Sequence, residues 1–529
     1  MAGDWAEIGS AKRFLAVVAS GFLAVLANGC SPSIPGHPQS GYGQLDPNSV
    51  DGQPVTDGPT GARAGVADAK LAVRGGNGGS IDRLVVNAVS DSTDFWRSEL
   101  PKDFPGKRFT APKTLYSFDS GEPGTSNKPR TPGKTGKGDK TGKPVCQPPS
   151  TDNAYVFACG AGIAWDRGPF LSAVDTTFGA ASVLAVVGHA SGYLVQGQLG
   201  IAGGHDGTSA IAQQRDDCLV GALFRWVADG GAKHFQANTG TGVSQAMSAL
   251  LSIPVVAVAR GAQPSPFDRV YAFQAGFTDG AKRCTKINAN DVNSRVTDLD
   301  LNGEQPSGEY APLSPRTLQL LQGSMADAFD QAGDSAPTIV ANAGDCTADA
   351  RTAPVSYCDD NTISVDMTGV NAIIVGRASQ TSSPQSTPST PGAPGTPGAP
   401  GMPGKAPVNP TADPSMFGDF AAYSEIASRY VIAVSRNNKL SPTDDNAGMR
   451  TACLTGAWVG YTRKPTSDDP SRIRLAAVGL NDSVRQLLMP SSMIAADGNG
   501  TVVKSGFARV EAFRIGFVNG SATCTKQFR

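Results

Sequence analysis

Histidine is scarce: the 529 residues hold four, His37, His189, His205 and His234. Four imidazoles give no defensible Ser-His-Asp order, and a histidine-based metal site is limited to sets such as His189 with His205, Asp206 or Asp217. An excess of one charge is also lacking, since 45 basic residues stand against 46 acidic ones. No global field then steers the chain to nucleic acid or anionic lipid, and nucleic acid is not expected as a partner. The glycine-rich stretch Gly75–Ser80 has no P-loop lysine after it, and "GHASG" and "GTSAIA" lack the strand-turn-helix pattern of a nucleophile elbow. Glycine and proline, by contrast, are plentiful at 63 and 38, which with the length points to two folded units and much linker.

The N-terminus carries an address. Lys12 and Arg13 precede the apolar run Phe14–Ala27, which is shorter than the about 20 residues that cross a bilayer and matches a secretory signal. Ala27 and Gly29 before Cys30 resemble a bacterial lipobox, although Asn28 and the missing Leu depart from its commonest form. Residues 1–29 are therefore expected to be a signal peptide, Cys30 a lipidated first residue, and 30–80, rich in Gly, Pro and Ser, a flexible tether. The plainer alternative is ordinary cleavage with Cys30 a spare thiol. Either way the protein is expected to be exported, and with the lipid it is anchored to the outer face of the cell membrane.

Without Cys30 eight cysteines remain, in two similar quartets. The gaps are 13, 59 and 66 residues from Cys146 through Cys159 and Cys218 to Cys284, and 12, 95 and 71 from Cys346 through Cys358 and Cys453 to Cys524. An even count in an exported chain suggests disulfides. Sequence leaves the connectivity open; the simplest choice pairs neighbours within each quartet, Cys146–Cys159, Cys218–Cys284, Cys346–Cys358 and Cys453–Cys524.

The quartets mark an internal duplication. "DRVYAFQAGFTDGAKRC" aligns without gaps on "ARVEAFRIGFVNGSATC" at an offset of 240 residues, matching Arg269 to Arg509 and Gly276 to Gly516. "CLVGALF" aligns on "CLTGAWV" at an offset of 235, and Asp166 falls on Asp366. The expected architecture is mainly α, α+β with few short strands, in two tandem disulfide-stapled domains over 81–290 and 300–529. The first carries a Lys/Gly-rich loop, 126–143, whose plain reading is a solvated loop. The second carries a Pro/Gly-rich insertion, 382–410, which cannot pack a core. In the first copy the patterns predict an extended segment at "YVFACGAGIAWD", then helices over 180–199, 211–227, "GVSQAMSALLS" and "PFDRVYAFQAGFTDGAK".

This order of elements, with "IAWD" at Ile163–Asp166, "HASGYLVQ" at His189–Gln196, "QQRDDCLVG" at Gln213–Gly221 and "RVYAFQAGF" at Arg269–Phe277, resembles the bacterial neutral zinc metallopeptidases, in particular exported actinobacterial lipoproteins. The resemblance covers nearly all of the first copy and, more weakly, the second. It implies zincin-like domains with His-Glu-x-x-His on one helix and a third ligand, Glu, on the next. Two imidazoles at i and i+4 share a helix face and hold one ion, and the Glu between them acts as base on the metal-bound water.

Both copies depart from that pattern. In the first, His189 stands at the first ligand position, but Ala190 replaces the base, Tyr193 the second histidine and Gln213 the third ligand. In the second, Ser424 and Ser428 replace the histidines, Gly448 replaces the third ligand, and Glu425 alone survives, where a solvated helix-face role is expected. The implied protein is a pseudopeptidase that binds a peptide or an envelope protein, with no cofactor and His189 as a vestige. The alternatives are an active peptidase holding zinc with atypical ligands, and a structural envelope scaffold.

Overall fold

A computed structural model describes residues 45–121, 156–201, 210–253, 264–295, 312–330, 336–342, 352–375, 416–463, 473–475 and 477–529. The signal region 1–29, Cys30, Cys146, Cys346, His37, His205, Asp206, the loop 126–143 and the insertion 382–410 lie outside the described residues.

The described chain is mainly helical with few short strands. Four two-residue strands come first: β1 (Ser49–Val50), β2 (Gln53–Pro54), β3 (Gly61–Ala62) and β4 (Val73–Arg74). Then follow α1 (Ser80–Asp103), β5 (Thr114–Phe118), β6 (Val156–Cys159), β7 (Gly162–Asp166), α2 (Pro169–Phe178), α3 (Ala180–Leu199), α4 (Ala210–Ala228), β8 (Phe235–Gln236), α5 (Thr241–Leu251), α6 (Pro266–Asp279), α7 (Ala281–Cys284) and α8 (Ala289–Arg295). The remainder holds α9 (Pro315–Ala328), β9 (Thr338–Ala341), β10 (Val355–Tyr357), β11 (Thr362–Val365), α10 (Met367–Val375), α11 (Asp419–Asn437), α12 (Ala447–Thr462), α13 (Ala477–Leu487), α14 (Gly506–Asn519) and α15 (Ser521–Gln527).

The same order of elements runs through both halves, from α1 to α7 and from α9 to α15, except that β8 has no counterpart among the described residues of the second. In the first, β5 pairs parallel with β7 and β6 antiparallel with it. In the second, β9 pairs parallel with β11 and β10 antiparallel with it. The central helix of the first half is α3, whose Ala- and Val-rich sequence is apolar on nearly all sides; such a helix belongs inside, and it packs against α1, α2, α4 and α5.

Each half is locked by one close helix pair. A Cβ on Gly276 would run into the carbonyl of Cys218 and one on Gly221 into that of Phe273, so α4 and α6 touch backbone to backbone. Gly516 against Cys453 and Gly456 against Phe513 repeat the contact between α12 and α14. The disulfides Cys218–Cys284 and Cys453–Cys524 close the ends of these pairs. Cys159 and Cys358 are also disulfide-bonded, to partners outside the described residues. The helix expected over "PFDRVYAFQAGFTDGAK" is two: Gly280, at φ 75°, turns the chain between α6 and α7, in a region of backbone space that favours glycine.

The halves meet reciprocally. Phe267 packs on Phe513 and Phe517 with ring centroids 6.3 and 5.5 Å away, while Phe507 packs on Phe273 and Phe277 at 6.2 and 5.9 Å. Under the 240-residue offset these are one contact made twice, the signature of a two-fold, self-complementary interface. Here it is built within one chain, and the buried residues of both halves form one continuous core.

The stretch expected to be a free tether is corrected from residue 45 onward. β3 pairs antiparallel with β8, and Arg63 Nε donates to the carbonyls of Ala232 and Phe235 at 3.2 and 2.9 Å. Pro47 accepts from the Ser505 amide at 3.0 Å, and Asp57 meets Lys504 at 2.8 Å. The segment thus straps both halves. Composition suggested a tether because the bonds that hold it are made by scattered polar side chains and two-residue strands, which leave no hydrophobic period in the sequence.

Candidate functional site

The motif helix α3 turns the face of His189, Tyr193 and Gln196 (i, i+4, i+7) one way, and α4 packs alongside. Two contacts fix the seam between the helices: Gln196 Nε2 donates to the carbonyl of Ala212 at 3.0 Å and to Oδ1 of Asp216 at 2.6 Å. Burial, with the charge of Asp217 beside it, holds the Asp216 carboxyl well above the usual carboxylate range.

His189 is mostly buried, its side chain 16 % exposed, with Nε2 3.6 Å from Oδ1 of Asp217 and beyond hydrogen-bond reach. Asp217 is engaged elsewhere: Arg269 of α6 grips it with Nε to Oδ2 at 2.8 Å and Nη2 to Oδ1 at 3.0 Å, a bidentate pair of two nearly fully buried groups. Burial pushes the His189 imidazole down to about 4; the Arg269 charge adds to this and Asp217 opposes it. At neutral pH the ring is uncharged.

These residues do not fit the zinc that the resemblance implies. One imidazole faces a carboxylate already neutralised by a guanidinium, and that cation stands where a second positive charge would be repelled. Ala190 is buried and carries no base, Tyr193 is half-buried, and Gln213 supplies a neutral amide on α4. Among the described residues no cluster of three His, Cys, Asp or Glu side chains suits a metal ion. Three side-chain atoms around this seam, His189 Nε2, Gln196 Oε1 and Gln213 Oε1, are buried without a hydrogen-bond partner. Native interiors rarely leave such atoms unpaired without a reason.

The second half treats the same positions differently. Glu425 is not solvated, as its place on a helix suggested, but 1 % exposed. Gln486 Nε2 donates to its Oε1 at 2.7 Å and the Met493 amide to its Oε2 at 2.9 Å. Burial raises its carboxyl, against the pull of Gln486, Ser492, the Met493 amide and Arg429. Arg429, one turn on, donates to the carbonyls of Met493, Ala496 and Asp497 at 2.8 to 3.1 Å, and burial holds its guanidinium down to about 10. Ser424 bonds Ser483 Oγ at 2.9 Å, and Ser428 Oγ donates to the Glu425 carbonyl at 2.7 Å. A Cβ at Gly448 would meet the Ala495 carbonyl at 2.9 Å and Val503 at 2.8 Å. The chain between α13 and α14 therefore fills the space where a third ligand was expected. The corresponding stretch of the first half, 254–263, lies outside the described residues.

Sequence reasoning missed Asp217–Arg269 as a pair, and it placed Glu425 in solvent because an isolated glutamate on a helix ordinarily is. A signal existed for the first: Arg269 sits in a repeated block, while its partner's counterpart in the second half is Ala452, so that Arg509 there donates to the carbonyls of Val503 and Leu487 instead. No protein-family model matches the chain, and neither the curated proteins nor the solved structures contain a match. No helix among the described residues is long and apolar enough to cross a membrane.

Proposed function

We propose that this chain is an exported, lipid-anchored envelope protein made of two degenerate, zincin-like halves, in which the first half binds a peptide or protein segment without cleaving it and the second is scaffold. The observation that carries the reading is the Arg269–Asp217 clamp beside His189. It supplies a structural cation where peptidase chemistry needs a metal, and no carboxylate base follows His189 in the chain. The partnerless atoms of His189, Gln196 and Gln213 are buried at the seam, and they support the binding role on the condition that the seam opens, since a peptide backbone then offers the amide donors and carbonyl acceptors they lack. The filled site of the second half supports its role as scaffold. The apolar run before Cys30 supports export and anchoring, and the disulfides agree with an oxidising compartment.

A fluorescein-labelled tryptic pool of casein peptides tests this reading. Saturable polarisation should appear with the wild-type protein and weaken in Gln213→Leu, with no rise in free amines on long incubation. Release of free amines would contradict the loss of hydrolysis, and polarisation that never rises would contradict the binding role.

A further inference from the structure

The two halves differ at one edge of their sheets. In the first, β4 pairs parallel with β5 on the side away from β7, Val73 opposite Leu115 and Arg74 opposite Tyr116. In the second the order is β10, β11, β9, and among the described residues no strand lies on the outer side of β9. The registers fix the correspondence between the two edges. Thr114 pairs with Gly162 and Thr338 with Thr362, each partner standing four residues before the matched Asp166 or Asp366. Leu115 and Tyr116 therefore correspond to Ile339 and Val340.

The β9 edge presents backbone, an apolar side chain and negative charge. The amides of Thr338 and Asn342 donate to the carbonyls of Asn361 and Val365, on the β11 side, so the amides of Ile339 and Ala341 point outward. Gln322 of α9 meets the first of these, its Oε1 accepting at 3.1 Å. Val340 is 36 % exposed, one of two large apolar side chains left open among the described residues. Tyr116, at the same position in the first half, has the Arg74 guanidinium of β4 5.7 Å from its ring centroid. Asp359 and Asp360 are exposed in the turn before β11, beside the Asn361 carbonyl that holds Thr338, and Asp366 is exposed past the end of β11. β9, β10 and β11 carry no lysine or arginine, and Arg436, which stacks on Tyr357 of β10, stands at the opposite edge.

We infer that the outer side of β9 is a docking site for a basic, extended peptide segment of a partner protein, which joins the sheet as a parallel strand in the place that β4 takes in the first half. Backbone hydrogen bonds to Ile339 and Ala341 supply the pairing, with the Ile339 amide passing from Gln322 to the incoming strand. A lysine or arginine opposite Val340 lays its aliphatic stem over that side chain and keeps its charge in water, as Arg74 covers Tyr116. The parallel direction sets the N-terminal end of the segment beside Asp359 and Asp360, where a second basic residue meets complementary charge.

The edge belongs to the half that the reading above makes scaffold, so it owes nothing to peptide binding at the α3–α4 seam. The probe is a fluorescein-labelled peptide with the sequence of residues 69–76, AKLAVRGG, which contains β4. Its polarisation with the whole protein should saturate with a dissociation constant of about 1 mM or tighter. Added salt should weaken it, and so should glutamate in place of both basic residues of the peptide. Ala341→Pro removes an outward amide at an edge position, where proline is tolerated, and should weaken binding roughly tenfold. Asp359→Asn with Asp360→Asn keeps an acceptor for the Thr362 amide and should weaken it by roughly threefold or more, with an unchanged circular dichroism spectrum. No saturation would overturn the inference, including the case in which residues 296–311 of the chain already hold the edge. Binding indifferent to both sets of substitutions would overturn it as well, since the peptide would then sit elsewhere.

Discussion

Replacing Arg269 with Met is expected to destabilise the protein by about 3–5 kcal/mol at neutral pH, the cost of leaving one member of a buried ion pair without its partner. The stranded group is Asp217, 1 % exposed and gripped by two of the guanidinium's nitrogens. Its remaining polar neighbour is His189 at 3.6 Å, and with Arg269 gone a protonated ring can take over the pairing. The loss should therefore shrink as the pH is lowered toward 5, a reversal that a purely steric defect would not show. Removing both charges, in Asp217→Leu with Arg269→Met, should recover much of the stability, because an apolar pair of similar volume avoids desolvating two ions. Urea unfolding at two pH values measures all of this; a loss under 1 kcal/mol for Arg269→Met would show that the pair does not brace α4 against α6.

His189 itself should make the fold sensitive to acid. Its folded pKa is about 4 against 6.5 for the free side chain, so the unfolded chain takes up the proton first as the pH falls. The stabilising contribution is complete above pH 6.5 and is lost as the pH drops through 6.5 to about 4, by roughly 3 kcal/mol across the window. In His189→Gln the side chain never charges, and the unfolding free energy between pH 7 and pH 4 should fall less steeply by about that amount. Equal slopes in the two proteins would mean that the ring is solvated and free to protonate. The comparison also separates this residue from Glu425, whose raised carboxyl works in the opposite direction. It takes up its proton more readily folded than unfolded, and so favours the folded state on acidification.

Local patterns were legible in the sequence where they were periodic. The helix expected over 180–199 is α3, Ala180–Leu199, and that expected over 211–227 is α4, Ala210–Ala228. The extended segment ahead of them is two antiparallel strands, because Gly160 turns the chain between β6 and β7. The alignment around the cysteines reaches further than the helices, since it also relates Phe267 to Phe507 and so underlies the reciprocal aromatic contact. What stayed hidden depends on partners far apart in the chain. His234 reads as an isolated histidine until Asp91, 143 residues earlier, is placed against it. Glu425 reads as a surface residue until the chain around Met493, 68 residues later, returns to cover it. The strap at 45–74 reads as linker because its anchoring bonds join isolated polar residues, such as Asp51, Thr56, Asp57, Thr60 and Arg63, to partners far along the chain and leave no periodic pattern.

The reading proposed above turns on the Asp217–Arg269 pair beside His189 standing in place of a metal. Its most direct test is the zinc content of the wild-type protein, purified without chelator and compared with His189→Ala by elemental mass spectrometry. The account predicts no stoichiometric zinc in either. Close to one zinc per chain in the wild type, absent from His189→Ala, would contradict it and make the site a metal centre with an unusual set of ligands.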